Sequence, residues 1–133
     1  MDIDIYYEDT DCGGVVYYAN YLKYFERART RLLVSRGVDP SEWMRKGVLF
    51  TVTRAEVSYK SPAVYGDAIT VETRLTKLKG ARISFDYFIA HASGGRLIVT
   101  GETDMACVND KMRPMPLPHE IKESLAPVLI TGE

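Results

Sequence analysis

Cysteine is nearly absent from this chain: Cys12 and Cys107 are the only two among 133 residues. A disulfide framework needs more, and no CxxC pair is present. The expected setting is therefore reducing and cytoplasmic. Histidine is as scarce. His91 and His119 stand far apart with no HxxxH spacing, so no metal site is expected. No apolar run approaches the roughly 20 residues of a membrane-spanning helix, which argues against integral membrane association. The opening MDIDIYY lacks the basic segment and long apolar stretch of a signal peptide. A surplus of one charge is missing too: 17 Lys and Arg face 18 Asp and Glu, for a net charge of -1. Nucleic-acid binding rests on clustered cations that neutralise phosphates, so no nucleic-acid partner is expected. Gly13-Gly14 lacks the rest of any phosphate-binding loop pattern.

What is present suits one globular domain over residues 1–133. Hydrophobic residues make up 46% and charged residues 26%, enough for a real core. Asp2 to Tyr7 alternates polar and apolar residues and predicts a short strand. Ala19 to Arg36 predicts the one long helix, with Leu22, Phe25, Ala28 or Arg29, and Leu32 as its apolar stripe. Gly37 is placed to end it. Asp39-Pro40 reads as a cap and first-turn proline for a short helix through Lys46. After Gly47, stretches 48–59, 68–78, 82–91 and 96–108 are β-branched, aromatic and largely alternating. Short turns at Lys79-Gly80-Ala81 and Ser93-Gly94-Gly95 predict a consecutive antiparallel meander. One last helical turn or two is expected in the proline-led tail. The fold class is therefore α+β: an antiparallel sheet of four or five strands wrapped around one long helix.

The densest chemistry lies in YYEDTDCGGVVYYANYLKYFERAR, residues 6–29. Glu8, Asp9 and Asp11 crowd the approach to the helix. Carboxylates there cap helices or face water, and Glu8 and Asp9 read that way. Asp11 differs in its company. Two glycines follow it and let backbone pass close to a ligand, and Tyr18 stands near the helix start. Unpaired N–H groups at such a start polarise an oxyanion. A carboxylate beside them can activate water or attack a carbonyl directly. Spacing alone leaves both readings of Asp11 open.

Other candidates carry less. Cys12 is a rival nucleophile, but an adjacent carboxylate disfavours its thiolate. His91, in a strand pattern, and His119, in the tail, read as packing or surface residues. The helix carries Lys23, Arg27, Arg29, Arg31 and Arg36 against Glu26, mostly a solvated face. Lys60, Lys77, Lys79, Arg82, Lys111 and Arg113 lie at strand ends and loops, where any can meet a phosphate.

Residues 6–29 resemble the signature of the 4-hydroxybenzoyl-CoA thioesterase family of hotdog-fold proteins. They are closest in appearance to its Tol-Pal-associated bacterial acyl-CoA thioesterase branch. VSYKSPAVYGDAITVETRL and RPMPLP are similar to later segments of that family. The resemblance implies a long helix wrapped by a five-stranded antiparallel sheet, in agreement with the element order above. It implies hydrolysis of an acyl-CoA thioester to a carboxylic acid and CoA without metal or prosthetic group. It also implies homodimers joined sheet edge to sheet edge, assembling to homotetramers, with sites at subunit interfaces.

Carried onto this chain, the family's catalytic carboxylate matches Asp11, as nucleophile or as general base. The backbone N–H that polarises the carbonyl matches Tyr18. Many relatives have histidine at that position; a tyrosine ring titrates at about pH 10 and takes over no histidine proton transfer. Gly14 and Tyr17 belong to the same substrate-binding stretch. Lys60, Arg82 and Ser84 resemble CoA-contacting positions. Tyr17, Tyr18, Tyr21 and Tyr24 are core or interface aromatics, or they line an acyl pocket that favours short or aromatic groups. The alternative function is a hotdog module that binds acyl-CoA or an acyl carrier without hydrolysis.

Overall fold

The computed structural model describes residues 1–11 and 13–130. Its first strand is shorter than the alternation suggests. β1 covers Asp2–Asp4, and a 3-10 turn takes over at Tyr7–Asp9. The Asp9 carboxylate accepts the Tyr6 N–H at 2.9 Å. This capping closes the turn before a strand can continue.

The long helix α1 runs Ala19–Ser35. It ends as a Schellman motif, with the Val38 N–H donating to Leu33 O and the Gly37 N–H to Val34 O, both at 2.9 Å. Helix α2, Pro40–Arg45, follows at once. The Asp39 carboxylate caps it, accepting from the Ser41 N–H at 3.0 Å and the Ser41 hydroxyl at 2.8 Å. These hydrogen bonds hold the Asp39 carboxyl below the ordinary aspartate range.

Four long strands come next: β2 (Val48–Tyr59), β3 (Ala68–Lys79), β4 (Arg82–His91) and β5 (Leu97–Asn109). With β1 they form one five-stranded sheet in the order β1-β3-β4-β5-β2, and every pairing is antiparallel. The meander of β3, β4 and β5 is as the turns predict. β2 returns to pair with β5, so it forms an edge twelve residues long. Helix α3, His119–Leu125, closes the end with Ile121 and Leu125 inward.

The sheet turns one face to α1. Val71, Leu75, Ile83, Phe85, Tyr87, Ile89 and Val99 are buried there against Tyr21, Tyr24, Phe25 and Ala28. This corrects the expected stripe. Leu22 is 43% exposed, and the aromatic residues beside it face the core instead, because their larger apolar area gains more from burial. Phe25 stacks on Tyr87 with centroids 4.3 Å apart. It also rests directly on Gly101 of β5, where a Cβ would overlap its ring. Among the described residues no helix is long and apolar enough to cross a membrane.

Candidate active site

The chain between the 3-10 turn and α1 is a small hairpin. Thr10 and Val16 form an antiparallel bridge. Inside it the Asp11 N–H donates to Val15 O at 2.9 Å, and the Gly14 N–H donates to Asp11 O at 3.0 Å. Gly14 has φ +80°, which suits a residue without Cβ. The Asp11 carboxylate turns back on its own chain, and its Oδ1 accepts the Gly13 N–H at 2.8 Å. This Asx turn fixes the carboxylate without burying it, and its second oxygen accepts no hydrogen bond among the described residues. Cys12, read as a rival nucleophile, lies outside the described residues.

Asp9, two residues earlier, has a different task. Its carbonyl accepts the Tyr17 N–H at 2.8 Å and the Asn20 side-chain amide at 2.8 Å. Together with its cap on Tyr6, it ties the 3-10 turn to the start of α1. Glu8 is exposed. The capping reading of Asp9 therefore holds, though it caps the short turn and not α1. Tyr24 is buried nearby without a hydrogen-bond partner for its hydroxyl among the described residues. Burial, followed by the Asp9 carboxylate, pushes its pKa above the ordinary tyrosine value.

Tyr18 is the N-cap of α1, with no side-chain cap. An N-cap stands where the first helical N–H groups have no acceptor inside the helix. Its ring lies 4.7 Å from that of Tyr17. Beside this helix start opens a cleft of about 290 Å³, walled by Val15, Tyr18, Tyr21, Tyr59, Lys60 and Pro62. Tyr21 and Tyr59 face each other across 5.9 Å. Val15, whose carbonyl holds the Asp11 N–H, sets the hairpin on the rim of that cleft.

The structure thus brings Asp11, Gly14, Tyr17, Tyr18 and Lys60 to one end of α1. It does not bring Arg82 or Ser84 there within one chain. Arg82 pairs with Ala106, whereas Tyr59 lies in the row of Val99 and Ile89. Seven residues of strand separate those rows, about 23 Å. Ser84 is 7% exposed, and its hydroxyl donates to the Asp104 carboxylate at 2.7 Å. Sequence reasoning missed Asn20, Tyr59 and the pair Asp67–His91. Asn20 carried a signal, since asparagine is unfavourable inside a helix unless its side chain ties down nearby backbone. The described residues contain no cluster of His, Cys, Asp and Glu able to hold a metal ion.

A long helix enfolded by a five-stranded antiparallel sheet defines the hotdog class. The chain belongs to the thioesterase-like superfamily, whose profile matches residues 6–125, and it is a thioester hydrolase by that membership. It is 37% identical over 120 residues to the acyl-CoA thioester hydrolase YbgC of Escherichia coli O157:H7, spanning 90% of this chain and 89% of that one. It is 28% identical over 124 residues to the 1,4-dihydroxy-2-naphthoyl-CoA hydrolase of Synechococcus elongatus, spanning 91% and 90%. Among solved structures, the DHNA-CoA thioesterase of Staphylococcus aureus superposes with TM-score 0.90 at 28% identity, covering 96% of this chain and 88% of the other.

Proposed function

We propose that this hydrolase cleaves acyl-CoA thioesters in the cytoplasm, with Asp11 as the catalytic carboxylate and the Tyr18 N–H polarising the thioester carbonyl. The observation that carries the reading is the hairpin: the Asp11 carboxylate accepts the Gly13 N–H, and the Asp11 N–H is held by Val15, which lines the cleft beside the start of α1. As nucleophile, Asp11 attacks the carbonyl carbon and the CoA thiolate leaves; water then opens the mixed anhydride. As general base, Asp11 takes a proton from water, which attacks the same carbon. Both routes consume one water and release a carboxylic acid and CoA.

The cleft suits a short or aromatic acyl group. It holds about 290 Å³, at the small end of ligand pockets, and three of its walls are tyrosines. The naphthoyl substrate in the name of one relative, the Synechococcus elongatus hydrolase, supports the aromatic choice. Lys60, which lines the cleft, meets a CoA phosphate in this reading. Gly14 and Tyr17 support the same end. Arg82 and Ser84 would reach substrate only from a second copy.

The assembly fits that requirement. β2 is a sheet edge, and Val52 on it and Leu22 beside it are 44% and 43% exposed. An open edge flanked by apolar side chains pairs readily with its own copy, so the protein is a homodimer through β2, with pairing of dimers giving a homotetramer. Sedimentation equilibrium should return two or four times the 15.0 kDa chain mass; a monomer at assay concentration would overturn this.

The activity test is Asp11→Asn, assayed by free-thiol release from benzoyl-, naphthoyl-, acetyl- and palmitoyl-CoA. Thiol release should vanish on every substrate while the melting curve stays in place. Full activity in the folded variant would overturn the assignment. Tight acyl-CoA binding by the unaltered protein with no thiol released would make it the binding module instead.

A further inference from the structure

We propose that Asp67 is a positioning residue for Asp11, holding in place the turn on which the Asp11 hairpin rests. The inference builds on the reading of Asp11 as the catalytic carboxylate. It starts from what lies beneath the hairpin. Val15 bridges Val64. The Val16 N–H donates to Ala63 O at 2.8 Å, and the Tyr65 N–H donates to Gly14 O at 3.3 Å. Residues 63–65 therefore form the seat for residues 14–16, and Asp11 hangs from Val15 by its own N–H.

That seat is irregular backbone between β2 and β3, with no ladder to stiffen it. Its stiffness comes from Asp67. One carboxylate oxygen, Oδ2, accepts the Val64 N–H at 2.9 Å, while the Asp67 N–H donates back to Val64 O at 3.0 Å. The other, Oδ1, lies 3.3 Å from His91 Nε2 at the end of β4. The His91 ring is itself oriented by Ser93, whose carbonyl lies 3.0 Å from Nδ1. Main-chain bonds complete the clamp: Ile5 N–H donates to Asp67 O at 2.8 Å and Gly66 N–H to Ile5 O at 3.0 Å. The Val64 N–H, chiefly, and His91 hold the Asp67 carboxyl below the ordinary aspartate range. The side chain is therefore ionised whenever the enzyme works near neutrality. A path of direct contacts runs from the end of β4, through Asp67 and Val64, to Val15 and Asp11.

Without Asp67 the Val64 N–H loses its acceptor and the seat can shift. Small misplacements of a reacting group slow the chemical step more than they weaken substrate binding. Asp67→Ala should lower kcat by about 10- to 100-fold with little change in KM. Asp67→Asn keeps an oxygen for the Val64 N–H and should recover most of kcat. Ile121→Val trims the core far from the hairpin; it should lower the melting temperature and leave kcat intact, which separates positioning from general loosening. Wild-type kcat in Asp67→Ala, or a loss that Asp67→Asn does not recover, overturns the proposal. Asp11→Asn belongs in the same series. If it is inactive while Asp67→Ala is fully active, positioning alone fails; if it is active, the reading of the site on which positioning rests fails.

Discussion

Acids gather in two regions of this molecule and live under different rules. On the outer face of the sheet, Glu56, Glu102 and Asp86 lie side by side across β2, β5 and β4, with Arg74 of β3 next in the row. Arg54 reaches Glu56, Glu102 at 3.3 Å and Asp104 at 3.7 Å. Arg74 turns to Glu72 at 2.7 Å and lies over the Phe88 ring at 4.6 Å. In the 3-10 turn and hairpin before α1 there are fewer carboxylates and no arginine partner among the described residues. Asp9 and Asp11 are held by backbone N–H groups instead. A guanidinium neutralises a carboxylate and occupies its oxygens. A single N–H fixes its direction and leaves an oxygen free for chemistry. The number of acids is thus a poor guide to a site, and the kind of donor that holds them is a better one.

The largest test of this contrast pairs Asp11→Asn with Asp104→Asn. Loss of a positioned acid–base group costs about 10²- to 10⁴-fold in rate, so kcat should collapse in the first variant and stay unchanged in the second. Equal losses in thiol release would erase the distinction. Asp9→Ala comes next. It removes the bond from the Tyr6 N–H but not the carbonyl contacts to Tyr17 and Asn20. Chemical denaturation should show a loss of about 1 kcal/mol, with kcat kept.

The smallest effect is expected on the outer face and has the opposite sign. Burial first, then the neighbouring Glu102, raise the Asp86 pKa. Folding therefore disfavours its charged form. That penalty is complete above the folded-state pKa, shrinks as pH falls through it, and is gone below the ordinary aspartate range. Asp86→Asn should raise the melting temperature modestly at neutral pH, with the gain fading in acid. A variant that melts lower at pH 7 would show that Arg74 already compensates this acid.

Most of the architecture could be read from the chain because its signals are local. Asp39-Pro40 caps α2 as expected, and β2 begins and ends at 48 and 59, where the alternation does. The errors fall where tertiary contacts decide. The alternation through Tyr7 predicts a longer β1, but a side chain three residues on captures the Tyr6 N–H. The stripe through Leu22 follows hydrophobic period alone, whereas wide aromatic rings turned the buried face towards Tyr21 and Tyr24. At the site, Asp11, Tyr18 and Lys60 meet at one end of α1. Arg82 and Ser84 do not join them, because position along a strand, and not proximity in a motif, sets which end of the sheet a residue reaches. Asp67 and His91 stand 24 residues apart on different elements, and no short pattern links them.

Phe25 on Gly101 has a consequence beyond packing. At Phe25 an aromatic ring of the helix meets bare backbone at a point with no room for a methyl group. That point acts as a fulcrum one turn below Tyr21. The height of α1 over the sheet is set there, and with it the gap between Tyr21 and Tyr59 that bounds the cleft. The width of the cleft is thus gauged from beneath by a missing methyl group, and a substitution at Gly101 would reach it without touching a residue that lines it.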